Sequence, residues 1–326
     1  MAENTITGLI PEIYEALDIV SRELTGMIPS ATMNASSNTA AVGQAIRIDV
    51  EPAGNVSNIA PAMTVPDPTG QTSGFTDIII TKSRAAEFGF LGEDQKGLNT
   101  GAGYGTVRAN KIAQAIRAVT NEVETDLCGL QSTFSRAHGT AGTAPFGTAN
   151  DYTDASNVLK ILKDNGSPLQ DNQLVINTTA GVNLLGKQAA VADAGSDSIL
   201  RQGVLLDING MPIRESAQIV DQAAGGIAGA ATTNAAGYAV GATVLTLAAG
   251  GTGNVVAGDV LTFAGDTNKY VVASAVFAGV NPAAGDTITL AAPGLRVAMT
   301  AATKAITKIA ASSRNMAFNR SAIVLA

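Results

Sequence analysis

The sequence predicts an α+β fold: a mixed α/β body built around one long helix, with a small β-barrel or sandwich inserted late in the chain. Three observations carry this expectation. Ile112, Ile116, Val119, Val123, Leu127, Leu130 and Phe134 step by threes and fours, the period of one buried helix face. Between Asp151 and Asp221, helical and extended periods alternate. From about Ala223 to Ala302 the chain is almost entirely Ala, Gly, Thr and Val, broken by regularly placed turn residues.

The first element is a helix over Pro11–Leu24, on which Ile10, Ile13, Leu17, Val20 and Leu24 form an apolar stripe. Proline suits its first turn, Gly26 stops it and Pro29 prevents resumption. With the polar tract Asn34–Thr39 behind it, this helix reads as an arm that docks on something. From Ala41 to Leu98 the chain is extended. Gln44–Val50 and Phe75–Lys82 are expected strands, the second carrying β-branched Ile78, Ile79 and Ile80. Glu51–Gly74, between them, holds four prolines and no helical period, which predicts a long hairpin projecting from the body.

The stripe described above predicts a helix from about Thr106 to Ala137, roughly 45 Å long, able to act as a spine under a sheet. Next come a helix over Ala155–Lys163, ended by Asn165-Gly166 and Pro168, and a buried strand over Gln173–Asn177. Gly181–Val191 is expected to be helical; Val204–Ile208 and Pro212–Glu215 are expected strands about the Asn209-Gly210 turn. In the Ala-rich stretch, strands are expected near Ala242–Leu247, Asp259–Phe263, Lys269–Ala273, Asp286–Leu290 and Arg296–Met299. Gly258-Asp259, Gly265-Asp266 and Gly285-Asp286 punctuate them. Helical character returns weakly before a final strand, Ala322–Leu325.

Composition narrows the function. The 326 residues carry 27 acidic and 20 basic side chains, a net charge of −7, and no run of three Lys or Arg, so a grip built on phosphate neutralisation is not expected. Met1–Ile10 lacks the basic and apolar regions of a signal peptide. Gln222–Gly258 is uncharged and long enough to cross a bilayer, but its nine glycines and Ala-dominated apolar content mark a β-forming segment. One Cys and one His permit neither an internal disulfide nor a Cys/His metal cluster.

Several stretches approach an active-site pattern and fall short. Gly181-Val-Asn-Leu-Leu-Gly186-Lys187-Gln188 follows a strand like a phosphate loop, but Gln188 stands where a magnesium-binding hydroxyl is required, and the two leucines suit a helix. Gly101, Gly103 and Gly105 follow the polar stretch Glu93–Gly97 where a dinucleotide loop needs a buried strand, so they read as a hinge. His138 is placed at the end of the spine helix, and no G-x-S-x-G elbow supplies it with a nucleophile. Cys128 falls beside the apolar stripe as a small core residue. The Gly-Asp pairs lack the spacing of a calcium loop and are assigned to turns. No catalytic, cofactor-binding or metal-ligating residue is nominated, and the chain is not expected to be an enzyme.

Stretches spread over nearly the whole chain, in order, resemble the coat proteins of short-tailed phages of the P-twenty-two type. They are Ile10-Pro-Glu-Ile-Tyr-Glu-Ala-Leu17 with Ser21-Arg22-Glu23-Leu24; Ile80-Thr-Lys-Ser-Arg84; and Asn121-Glu-Val-Glu-Thr-Asp126. Others are Leu200-Arg-Gln-Gly-Val-Leu-Leu206 leading to Ile213-Arg-Glu-Ser216; Ala264-Gly-Asp-Thr-Asn-Lys-Tyr270; and Arg314-Asn-Met-Ala-Phe-Asn-Arg-Ser-Ala-Ile323. The resemblance implies the Hong Kong ninety-seven capsid fold with an inserted β-barrel. It implies an N-terminal arm in 1–40, an extended loop and peripheral strands in 41–100 and the spine helix in 101–140. The axial α/β domain then takes 141–222, the inserted barrel 223–302 and a return strand 303–326. Members of the family usually continue well past the segment matching Ser321–Ala326, so a further C-terminal piece is expected.

The implied function is that of a major capsid protein whose copies form the pentamers and hexamers of an icosahedral virion shell, assembled in the cytoplasm of the bacterial host. The implied partners are other copies of itself, a scaffolding protein, a portal, and double-stranded DNA enclosed without sequence-specific binding; no membrane and no cofactor is expected. The rival reading is an extracellular lattice or adhesin-type β protein, suggested by the Ala/Gly/Thr-rich second half. The amphipathic first helix and absent signal peptide argue against it.

Overall fold

In the computed structural model, which describes residues 25–33, 42–50, 72–87, 89, 104–148, 151–187, 205, 207–279 and 281–325, the strand expected at Gln173–Asn177 is the centre of the body. The arm helix over Pro11–Leu24, most of the loop Glu51–Gly74, and Gly101 and Gly103 lie outside the described residues.

Strand β5 (Asn172–Asn177) is buried along almost its whole length, as its Leu174-Val175-Ile176 run requires. It pairs antiparallel with β13 (Met316–Asn319) and parallel with β6 (Ile213–Ser216). Both faces of this three-stranded sheet are covered, and the pleat divides the strand between them. Leu174 and Ile176 pack with Ala155 of α2 (Thr153–Asp164) and with Ala180 and Leu184 of α3 (Thr178–Lys187). Val175 packs on the opposite face with Leu127 and Cys128 of α1 (Tyr104–Gly129), and with Met27 and Ala31 of the N-terminal segment. A Schellman motif ends α2. Gly166 stands at φ 80° and donates to Lys163 O at 3.0 Å, while Ser167 N donates to Leu162 O at 3.0 Å.

The spine helix is shorter than its stripe implies. It runs 26 residues to Gly129, about 39 Å, and tightens into a 3-10 turn over Leu130–Ser132. Thr133 N and Oγ1 both donate to Leu130 O at 2.8 Å and close the turn. Arg136–Ala137, expected at the helix end, instead forms strand β4. Phe134 keeps its apolar role outside the helix, edge-on to Phe318 with ring centroids 6.0 Å apart.

The late segment forms a second sheet in the order β12-β9-β10-β11-β8-β7, with β4 also paired to β10. Its strands are β7 (Thr232–Thr233), β8 (Val244–Ala249), β9 (Val260–Phe263), β10 (Lys269–Val276), β11 (Thr287–Leu290) and β12 (Ile306–Lys308). The two ends of this path meet. Thr233 N donates to Lys304 O and Ile306 N to Ala231 O, each at 2.9 Å, and Thr232 bridges Ala305. Leu245, Leu247, Leu261, Tyr270, Ile288 and Leu290 fill the interior. Arg296–Met299, expected as a strand, makes only the Tyr238–Met299 bridge, because the chain turns at Gly294 (φ 77°) to bury Leu295. The strand that replaces it, β12, lies beyond the expected limit at Ala302. Val204–Ile208 likewise contributes only the Ile208–Met211 bridge among its described residues.

Chain entry to this sheet and exit from it run together. Gln222 N donates to Ser312 O at 3.2 Å, and buried Gln131 grips both sides, donating to Val220 O at 3.0 Å and accepting from Arg314 N at 3.1 Å.

Separate from both sheets stands a two-stranded antiparallel ribbon, β2 (Ala45–Val50) with β3 (Gly74–Ile79), joined in unbroken register from Ala45–Ile79 to Val50–Gly74. Strand β1 (Thr32–Met33) pairs in parallel with β14 (Val324–Leu325), the final strand expected at Ala322–Leu325.

Candidate functional site

The acidic stretch Asn121-Glu-Val-Glu-Thr-Asp126 on α1 is where the body takes hold of the two peripheral segments. At 3.6 residues per turn, Glu122 and Asp126 share one face, while Glu124 points roughly 200° away from each. The two faces hold different things.

Glu124 is fully buried, between Leu127 and Cys128 on the core side of the helix. Its Oε1 accepts Gly26 N at 2.7 Å and Met27 N at 2.8 Å; its Oε2 accepts Ile28 N at 3.0 Å. These are the amides that open the 3-10 turn Ile28–Ser30, which have no partner within the turn, so the carboxylate caps it. Ser30 Oγ closes the turn from the other end by donating to Gly26 O at 2.7 Å and accepting from Arg214 Nη1 at 2.9 Å. Gly26 is glycine for lack of room: a Cβ there would stand 2.7 Å from Val175 Cγ1 and 2.8 Å from the Glu215 carbonyl oxygen. The sequence offered a signal for Glu124, an acid three residues before Leu127 inside the apolar face. Its partners, almost a hundred residues earlier, carried none.

On the outer face, Asp126 accepts Lys82 Nζ at 2.6 and 2.7 Å, and Glu122 meets Arg84 Nε at 2.8 Å. Lys82 and Arg84 belong to the irregular segment that leaves the ribbon at Ile80. Two of the stretches that carried the sequence resemblance, Ile80–Arg84 and Asn121–Asp126, are thus direct partners.

The segments weighed for catalysis are placed otherwise. Gly181 to Lys187 is helical, and a Cβ at Gly181 would overlap the Glu215 carboxylate, 1.4 Å from Oε1. Burial raises the pKa of that carboxyl group. The Glu215 carboxyl group therefore occupies the space that a phosphate loop would need beside open amides. His138 follows β4 and does not end the spine helix as expected; its Nε2 lies 3.2 Å from Asn157 Nδ2 and 3.8 Å from Asp154 Oδ1, neither of them a hydroxyl or thiol for it to activate. Cys128 is 1% exposed, and burial pushes its thiol up to about 11, against a contact to Ser216 Oγ at 3.5 Å and with the help of the nearby Glu124 charge.

The Gly-Asp pairs spend their carboxylates mostly on backbone amides. Asp259 accepts Gly225 N at 2.8 Å and Val256 N at 2.9 Å; Asp286 accepts Ala278 N at 3.1 Å and Ala283 N at 2.7 Å. Asp266 accepts Asn268 N at 2.8 Å and Tyr270 OH at 2.6 Å. The glycine before each has φ between 88° and 92°, which a side chain would resist. Among the described residues no three His, Cys, Asp or Glu side chains are grouped as metal ligands, and no helix is long and apolar enough to cross a membrane.

Neither a family model nor a curated protein matches the chain. Among solved structures it is similar to one described as Mycobacterium phage Che8, at 15% identity over 91% of each chain, with a TM-score of 0.42. It is also similar to the capsid structure of the cyanophage P-SCSP1u, at 15% identity over 90% of this chain and 88% of that one, TM-score 0.41. A third similar structure is the asymmetric unit of the bacteriophage PhiM1 mature capsid, at 13% identity over 90% and 86%, TM-score 0.41.

Proposed function

We propose that this chain is the major capsid protein of a tailed bacteriophage, a subunit of the Hong Kong ninety-seven type that works by geometry and not by catalysis. The observation that carries the reading is the ribbon. On one of its faces Ile46, Ile78, Ile48, Thr76 and Val50 follow one another outward, and their burial falls along the way, from 6% exposure at Ile46 to 49% at Val50. An isolated two-stranded ribbon is marginal in water, and an apolar face of this kind calls for a surface to lie on. In a shell, a neighbouring copy supplies that surface.

The rest of the chain fits the same role. The segment 25–33 is the root of the arm, α1 is the spine, the three-stranded sheet with α2 and α3 is the axial part, and the late closed sheet is the inserted barrel. A net charge of −7 suits a wall that encloses double-stranded DNA without gripping it. Copies joined head to tail close into pentamers and hexamers, and many weak contacts together hold the shell. A scaffolding protein and a portal complete the assembly.

Electron microscopy of the overexpressed chain tests this. Uniform closed particles are expected from the natural sequence, and a folded, soluble small species from the ribbon variant Ile48→Asp/Val50→Asp. Sheets or fibres from the natural chain would favour the lattice reading, and normal particles from the ribbon variant would remove the reach-over role.

A further inference from the structure

We propose that Glu122 and Asp126 form a two-rung ionic latch that fixes the ribbon against the spine and opens without unfolding either one. The segment from Ile80 to Glu87 has no regular secondary structure, and its side chains are mostly exposed. Its polar anchorage to the body, among the described residues, is Lys82 on Asp126 and Arg84 on Glu122.

The spacing makes the two pairs a ladder. Two residues of extended chain advance about 6.6 Å, and four residues of helix rise about 6 Å, so alternate cations on the segment meet acids one turn apart. The segment runs against the helix direction, since Lys82 takes the later acid and Arg84 the earlier. Only one register makes both pairs: a shift of one helical turn would place a cation opposite Ala118 or Leu130.

Each rung is exposed to solvent, with side chains 51% and 46% exposed in one pair and 63% and 38% in the other. Pairs of this kind are individually weak and are screened by salt. The buried grip of Glu124 on the N-terminal segment is of another class, formed by charge-assisted bonds out of solvent. One short stretch of α1 therefore holds the arm root firmly and the ribbon loosely. The ribbon is the appendage free to change its angle, and the latch sets its resting position. This holds for the single chain, whether or not it builds a shell.

Trypsin reads the latch directly, because Lys82 and Arg84 are themselves cleavage sites. In the folded full-length chain, Glu122→Gln/Asp126→Asn keeps both sites and removes their partners. Cleavage after residues 82 and 84 is expected to rise roughly two- to thirtyfold, the range that follows from losing two exposed pairs, and to rise also in about 1 M salt relative to a peptide control. The thermal midpoint should fall by no more than a few degrees, as the loss of two weak exposed pairs allows, and Asp126→Glu, which keeps the charge, should keep the protection. Spin labels on Asp49→Cys and Asn110→Cys, at exposed sites on ribbon and spine, should give a broader distance distribution in the latch variant. Unchanged cleavage, an unchanged distribution, or a fall in the thermal midpoint of more than about 10 °C would each overturn the proposal.

Discussion

At position 124 a carboxylate does what no other side chain could do in the same space. Its two oxygens accept three backbone amides from residues 26 to 28, all within 3.0 Å. Glutamine would offer one oxygen and aim an N–H2 group at an amide that also donates, leaving at least one buried donor without a partner. Such a donor costs about 1–3 kcal/mol, so Glu124→Gln should lower unfolding stability by about 2 kcal/mol, measured by denaturant titration. Glu122→Gln, on the outer face, should change it by less than about 1 kcal/mol. Equal effects would mean that the inner and outer acids are not distinguished as described. Gly26 teaches a related lesson about legibility. The sequence reads it as the stop of a helix that lies outside the described residues, but the reason it must be glycine is the approach of Val175 and Glu215. Those neighbours lie 149 and 189 residues further on, beyond the reach of any local pattern.

Periodicity located α1 well at the level of an element and overran its end. The stripe continues through Leu130 and Phe134 because both residues do pack against the core, as the helical period says they should. Their backbone leaves the helix because β10 offers Arg136–Ala137 a strand partner, with Lys269 opposite Ala137 and Tyr270 opposite Arg136. Apolar spacing reports which side chains face inward, and it cannot report a competing strand more than a hundred residues away. Burial is also uneven along the stripe. Leu127 is 7% exposed and packs with Met27 and Val175, whereas Val119 is only half-buried. An aspartate at Leu127 would place a charge in that core at a cost of several kcal/mol, comparable to a whole domain's ~5–15 kcal/mol. Leu127→Asp is therefore expected to yield no soluble folded protein, and Val119→Asp a folded but less stable one, judged by circular dichroism and thermal melting. A soluble Leu127→Asp protein with native melting would show that the inner face of α1 is misplaced.

At the scale of the whole molecule, composition changes at about Ala223 and again near Ala302, while the strands of the second sheet run from Thr232 to Lys308. Thr, Ala and Val are shared by strand, turn and linker in this stretch, so composition alone could not tell that Ile306–Lys308 returns to the sheet. It does return: Ile306 pairs with Phe263 and is itself buried, and the hydrogen bonds that join the ends of the sheet run through residues 304 to 306. A fragment cut at 223 and 302 would lose β12, expose the edge of β9 and open the ring. The bridge between Gln222 and Ser312 identifies a better cut, where the two chain crossings already touch. The fragment 222–312 keeps every strand of this sheet except the two-residue β4, and its interior includes Leu245, Leu261, Ile288 and Ile306. It is expected to fold alone, with a strand-type circular dichroism spectrum and a cooperative thermal transition, while 223–302 should melt at a markedly lower temperature or without cooperativity. If both fragments melted alike, β12 would contribute nothing to the sheet. If neither folded, the pairing of β4 with β10 and the grip of Gln131 on the two crossings would have to be counted as part of the module's own stability, and the unit of folding would be the module together with the end of the spine.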